Sequence, residues 1–254
     1  MDVQGAGLRV DVGAPERLMP GVPARLGLRI EDANTGEAIH DIVETHERPI
    51  HLIVVNSELE FFRHIHPWPV GGNLFWVDVT FPARGRYYLF LEFQRAGGET
   101  LTARETFVLG EDIAHEAQLR RKGELTFEVE GLRVSLEPLR SPVAGRETRF
   151  KLIVTDADAR GPVTSLTPYL AAAAHVVVID SSAATFGHAH GSASSDARSH
   201  GHTGHAAHTE TPVRFGRGIS FSHVFPAPGL YRIWTQFGKA DRTVATAAFD
   251  LQVD

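Results

Sequence analysis

Phe81-Pro82-Ala83-Arg84-Gly85-Arg86-Tyr87 and Phe225-Pro226-Ala227-Pro228-Gly229-Leu230-Tyr231 align 144 positions apart and share five of seven residues. In each copy a Pro/Gly turn leads into a Tyr that opens an apolar run, Tyr87-Tyr-Leu-Phe-Leu-Glu-Phe93 and Tyr231-Arg-Ile-Trp-Thr-Gln-Phe237. A glycine turn followed by Tyr at the start of a strand suits the tyrosine corner of immunoglobulin-like sandwiches, whose hydroxyl ties down the preceding loop. The plainer reading is a core Tyr after a turn glycine. Under either, the Tyr is structural.

Working outward, further short β-branched runs alternate with turn residues. They are Ala24–Ile30, Ile50–Val55 and Leu74–Phe81 in the first half, and Thr148–Val154, His175–Ile179 and Ile219–Phe225 in the second. Gly7-Leu8-Arg9-Val10 matches Gly131-Leu132-Arg133-Val134, and the offset of 124 holds without gaps from there to His66 and His190. Over those 60 aligned positions 15 residues are identical. The change of offset to 144 places 20 extra residues between His190 and Ile219, in a tract of Gly, Ala, Ser and His. Thr106-Phe107-Val108 then matches Ala248-Phe249-Asp250 at 142, which predicts a last hairpin shorter by two residues. The expected fold is all-β: two tandem immunoglobulin-like antiparallel β-sandwich domains related by internal duplication. Their expected limits are 1–112 and 124–254, with a connector at 113–123 and the insertion at 191–210. Within the connector, Ile113-Ala-His-Glu-Ala-Gln-Leu-Arg-Arg121 has the pattern of a short helix.

Composition excludes several classes. Each repeat is long enough to bury its own core. With no Cys there is no disulfide, thiol nucleophile or blue-copper centre, and the two Met residues supply Cu(I) poorly. A net charge of −6 with dispersed signs argues against a nucleic-acid partner. No stretch approaches the roughly 18 apolar residues of a membrane span. Met1-Asp2-Val3-Gln4 lacks the features of a signal peptide, so the expectation is an envelope protein whose leader has been removed, or a cytosolic one.

The lead to function is His-x12-His-x-His, present as His51/His64/His66 and again as His175/His188/His190. His64 and His66 are two apart, so on a strand they project from one face with Cα atoms roughly 6.5–7 Å apart. Turns at Asn56-Ser57-Glu58 and at Asp180-Ser181-Ser182 would fold His51 and His175 back beside their partners. One hairpin can therefore bring three imidazoles together in each repeat, leaving a fourth coordination position open. Imidazole suits Cu(II) and Zn(II). The alternative is a hydrogen-bonded histidine cluster that braces the hairpin, with Glu47 or Asp78 as a carboxylate partner.

His200, His202, His205 and His208 lie in the inserted tract, whose composition cannot bury a core and whose imidazoles would capture metal with little geometric choice. His223 aligns with Val79, so it is peculiar to the second repeat and is a candidate to join that site. His40, His46 and His115 have no counterpart and are expected at the surface. Asp156-Ala-Asp158 lacks the rest of a calcium loop, and no nucleophile elbow, phosphate loop or His-Glu-x-x-His occurs. No Glu or Asp at a set spacing from the triplet recurs in both copies as a general base, so the chain is not expected to be an enzyme.

The second repeat, with Thr167-Pro-Tyr-Leu-Ala-Ala-Ala-Ala-His-Val-Val-Val-Ile-Asp180, His188-x-His190 and Phe225–Phe237, resembles bacterial secreted proteins and lipoproteins with immunoglobulin-like or cupredoxin-like sandwiches, near the FixH/YtkA-like group. The first repeat is less similar, with Thr45-His46 for Tyr169-Leu170 and Pro67 after the His pair. The resemblance implies a periplasmic or secreted location and a link with heavy-metal transport. The functional expectation is a protein that binds a divalent metal, Cu(II) or Zn(II), and sequesters it or passes it to a transporter or another envelope protein. A structural or adhesive domain pair is the competing expectation.

Overall fold

The computed structural model describes residues 7–113, 115–119, 125–158, 161, 163, 166–193, 214–216 and 218–254. Among these, every helix or strand segment is a strand. The chain divides into two compact units, the break falling between Gln118 and Leu119. The first repeat contains β1 (Leu8–Gly13), β2 (Ala24–Asp32), β3 (Ile42–Val43), β4 (Ile50–Asn56), β5 (Phe62–Ile65), β6 (Trp68–Gly71), β7 (Leu74–Val79), β8 (Gly85–Arg95) and β9 (Thr100–Leu109). One sheet has the order β1-β2-β7-β6; the other runs β9-β8-β4-β5, with β3 continuing beside the end of β8. This is the strand order of an immunoglobulin-like sandwich with a fourth strand, β5, on the second sheet.

The second repeat contains β10 (Thr126–Val129), β11 (Leu132–Pro138), β12 (Glu147–Asp156), β13 (Ala174–Asp180), β14 (Phe186–Ala193), β15 (Gly218–Val224), β16 (Gly229–Gly238) and β17 (Val244–Val253). Its sheets, β10-β11-β12-β15 and β14-β13-β16-β17, are fused because β14 pairs β13 along most of its length and β15 at Ser192 and Ala193. In the first repeat the same path is cut into β5 and β6. The cause is Pro67, which stands where the second repeat has Gly191: proline has no N–H for the ladder. Gly191 in turn has no room for a side chain, because a Cβ there would press into Ile219 and Ala174.

Each repeat has its own apolar core. Leu26, Leu28 and Ile30 alternate inward along β2 against Leu52, Val54, Leu89 and Leu91. Phe150, Leu152 and Val154 do the same against Val176, Val178, Ile233 and Phe249. Both tyrosine corners are formed. Tyr87 Oη donates to the Ala83 carbonyl at 2.8 Å, and Tyr231 Oη donates to the Ala227 carbonyl at 2.8 Å. Gly85 and Gly229 take φ of 131° and 149°, which a side chain would oppose.

Three expectations are corrected. The last hairpins are equal in length: Gln94 faces Thr100 as Gly238 faces Val244, so the offset stays at 144 and Leu251, not Phe249, corresponds to Phe107. A slip of two residues keeps every side chain on its own face, so the apolar pattern could not expose it. The described part of the connector is not helical. Its backbone is drawn into the first repeat instead, where Ile113 C=O accepts from Arg86 N–H and His115 N–H donates to Ser57 Oγ. Finally, residues 191–193 belong to β14, so the start of the predicted insertion is sheet.

Candidate metal centre

Strand alternation decides which way the histidines point. Ile50, Leu52 and Val54 of β4 enter the core, so His51 and Ile53 occupy the opposite, outer face of the β9-β8-β4-β5 sheet. His64 pairs with Ile53 across the ladder and shares that face, and His66 follows two residues on. The second repeat repeats the arrangement: Val176 and Val178 point inward, His175 lies opposite His190, and His188 lies opposite Val177. His51, His64 and His175 are 2%, 8% and 1% exposed. The other three are half-buried.

The rings converge in both repeats. Centroids of His51, His64 and His66 are 4.8–5.3 Å apart, and those of His175, His188 and His190 are 4.7–5.3 Å apart. One ring nitrogen from each of His51, His64 and His66 lies within 4.8 Å of the other two. Three such atoms sit within about 2.8 Å of a common point, against roughly 2.0–2.1 Å for a zinc–imidazole bond.

Hydrogen bonds orient the first ring of each set. His51 Nε2–H donates to the Thr45 carbonyl at 3.1 Å, which makes Nδ1 the acceptor of the neutral ring. That Nδ1 is 3.0 Å from His64 Nε2, which therefore donates to it. His175 is held in the same way, by the Leu170 carbonyl at 3.3 Å and by His188 Nε2 at 3.1 Å. A ring N–H given to a backbone carbonyl is how ligating histidines are commonly fixed in orientation.

The carbonyls come from tight turns that the sequence did not betray. His46 and Glu47 have φ of 50° and 66°, Leu170 and Ala171 have 48° and 60°, and Thr45↔Arg48 and Tyr169↔Ala172 close the two turns. Two successive positive φ values define a type I′ turn, which normally takes Asn-Gly. Non-glycine residues in this region cost roughly 1–2 kcal/mol each. The same strained geometry sits beside the histidines in both repeats.

Several predicted residues lie elsewhere. His223 faces the interior: it shares a face of β15 with Ile219 and Phe221, its ring packs on Phe225 at 4.8 Å, and it occupies the space beside Gly187. Gly187 pairs with the core residue Val178, so it too faces inward, away from His188 and His190. His223 therefore does not join the triplet, and burial pushes its pKa down to about 4. Asp78 is not a partner of the triplet either, being held by Arg25 at 2.8 Å, and Glu47 is exposed in its turn. His46, expected at the surface, is half-buried with its ring 6.4 Å from that of His51. His40 and His115 are exposed. His200, His202, His205 and His208 lie outside the described residues.

Sequence reading passed over the residues beside the triplets on the same face. Glu92 of β8 stands directly across from His51, and Gln236 of β16 directly across from His175. Only the register reveals them, because each lies more than 25 residues from the nearest histidine of its set.

The molecule is thus a tandem immunoglobulin-like β-sandwich protein with a histidine cluster on the outer face of one sheet in each repeat. The sequence pattern of a domain of unknown function, DUF8832, matches residues 2–110 and 127–254, and the chain belongs to that family. None of the curated proteins compared matches it. Among solved structures, it is similar to a Corynebacterium diphtheriae protein described as membrane anchored, at 10% identity and a TM-score of 0.26 over 97% of this chain and 57% of that one. It is also similar to dimeric latent PorU from Porphyromonas gingivalis, at 11% identity and a TM-score of 0.26 over 99% of this chain and 20% of that one. The fibronectin(III)-like modules of Clostridium thermocellum CbhA give 9% identity and a TM-score of 0.21 over 96% and 94%. The chain spans 57% and 20% of the first two, and likenesses of this size imply no shared function. No helix among the described residues is long and apolar enough to cross a membrane.

Proposed function

We propose that the chain is a non-enzymatic metal-binding protein of the bacterial cell envelope. It holds Cu(II) or Zn(II) at one three-histidine site per repeat, for sequestration or for delivery to a transporter. The observation that carries this reading is the paired nitrogens, His51 Nδ1 with His64 Nε2 at 3.0 Å and His175 Nδ1 with His188 Nε2 at 3.1 Å. Two imidazole nitrogens bound to one zinc ion at the tetrahedral angle stand about 3.3–3.4 Å apart. A few tenths of an ångström of separation, with the shared proton relocated to Nδ1 of His64 or His188 so that the ring stays neutral, turns each hydrogen-bonded pair of nitrogens into one edge of a coordination shell. His51 and His175 keep their carbonyl bonds throughout. The third imidazole, His66 or His190, closes on the ion from the neighbouring strand, and the inserted tract's imidazoles supplement capture.

The competing reading is a structural or adhesive pair of domains in which the same bonds brace the hairpins. It is favoured by the fact that His51 and His175 each bond a backbone carbonyl and a neighbouring imidazole. Calorimetric titration with Cu(II) and with Zn(II) separates the two, using the full chain carrying His200→Ser, His202→Ser, His205→Ser and His208→Ser. Two tight equivalents, falling to one on adding His64→Ala and His66→Ala, support the proposal. An absence of tight binding in that chain overturns it in favour of bracing.

A further inference from the structure

The two candidate sites have the same three imidazoles but differ in the residue opposite the first. Across β8 from His51 stands Glu92; across β16 from His175 stands Gln236. The pairs are equivalent at the offset of 144 that relates the two strands. Directly opposed residues of antiparallel strands place their Cβ atoms about 4.5–5.5 Å apart on one face. The Glu92 carboxylate is not among the ligand atoms that converge in the first repeat, so it would join them by turning its side chain. Gln236 uses its amide to donate to Thr246 Oγ1 at 3.1 Å, while the corresponding residue in the first repeat, Thr102, faces Glu92.

We propose that Glu92 supplies the fourth, charged ligand of the first site, so that the first repeat carries a three-histidine-plus-carboxylate centre and the second a neutral three-histidine one. This rests on the metal-binding reading above and assigns unequal roles to the two repeats. The physical reason is charge. Three neutral imidazoles leave a divalent ion with its full double charge, and His51 is 2% exposed, so little water shares that charge. Bringing an unbalanced charge into a desolvated site is costly, and an anionic ligand halves the imbalance. Glu92 is half-buried and therefore excluded from much of the solvent that would otherwise compete for it. A carboxylate oxygen beside three imidazoles also completes a four-coordinate set of ligand types that Zn(II) accepts. The second site, with Gln236, binds more weakly and releases more readily.

Zn(II) affinity is measured by competition with a chromophoric chelator in the full chain with the four tract histidines changed to Ser. Adding His188→Ala and His190→Ala isolates the first site; adding His64→Ala and His66→Ala isolates the second. Glu92→Gln, which installs the residue of the second repeat, is expected to weaken the first site on the order of ten- to a hundredfold. Gln236→Glu is expected to strengthen the second by a similar factor. Thermal unfolding of the metal-free variants, unchanged by either substitution, separates ligation from a folding defect. Affinities within twofold of the parent in both variants overturn the assignment of Glu92 while leaving the three-histidine sites standing. Failure of the unsubstituted chain to bind Zn(II) at all overturns both.

Discussion

The ring of His223 fills the space that a side chain would need at Gly187, two strands that meet inside the second sandwich. The imidazole is half-buried, packed on Phe225, and is held in its neutral form, its pKa depressed by desolvation to about 4 from an ordinary 6.5. Between those two values the unfolded chain takes up a proton that the native chain does not. Stability of the second repeat is therefore full above about pH 6.5 and falls as the pH drops toward 4, by about 3 kcal/mol in all. His223→Val, the residue of the first repeat at the aligned position, is expected to remove that loss. Urea unfolding at pH 7, 5.5 and 4.5 checks it; a variant as acid-sensitive as the parent refutes the assignment.

The same contact predicts a coupling. Gly187→Ala forces a methyl group into the His223 ring and is expected to cost about 1–3 kcal/mol by overpacking. In the His223→Val background most of that penalty disappears, because the obstructing ring is gone. A double-mutant cycle with no coupling beyond about 0.5 kcal/mol would count against the packing described.

Tyr87→Phe and Tyr231→Phe each delete a hydroxyl that donates to a backbone carbonyl and also accepts the N–H of the same residue, Ala83 or Ala227. Ala83 and Ala227 are exposed, so water can take over their backbone groups and the net loss is that of an ordinary hydrogen bond, about 0.5–1.5 kcal/mol. Each substitution is expected to lower the unfolding transition of its own repeat. Equal shifts in both transitions from one substitution would contradict the separate cores.

His64→Ala removes the donor to His51 Nδ1 inside a site that is almost closed to solvent. The metal-free first repeat is expected to lose about 1–3 kcal/mol. Zn(II) at a hundredfold excess over its dissociation constant is expected to stabilise the parent repeat by about 2.7 kcal/mol and the variant much less. Equal stabilisation of the two would place the ion elsewhere.

Ala171 and Glu47 sit at positive φ in equivalent turns. Glycine at either position relieves a steric cost of roughly 1–2 kcal/mol while adding freedom to the unfolded chain. Ala171→Gly is therefore expected to raise stability slightly, by up to about 1 kcal/mol. A loss comparable to that of Gly in an ordinary strand would show that the turn is not strained as described.

Much of this molecule was legible because it is written twice. Tyr87 and Tyr231 announced the sandwich, and the recurrence of three histidines at one spacing placed them on one face of a hairpin. What escaped has physical reasons. The turns at His46-Glu47 and Leu170-Ala171 contain none of the Gly or Asn that mark such geometry, so no local signal existed. Glu92 and Gln236 approach the histidines only through strand register, which a linear search for spacing cannot see. For His223 a signal was available: its counterpart is the core residue Val79, and a position that is apolar in one copy faces inward in the other. The described part of the connector has helix-forming residues but makes longer-range bonds instead, Ile113 C=O accepting from Arg86 N–H and His115 N–H donating to Ser57 Oγ.

Pro67 and Gly191 give the two repeats different ways of coming apart. In the second, β14 is pinned to both sheets, so peeling it from one loads the other, and the wall opens as a single cooperative unit. In the first, the break at Pro67 lets β6 fray from its edge without disturbing β5. His66 lies beside that loose seam, whereas His190 is stitched into an unbroken strand. One histidine cluster is mounted on a hinge and the other on a beam.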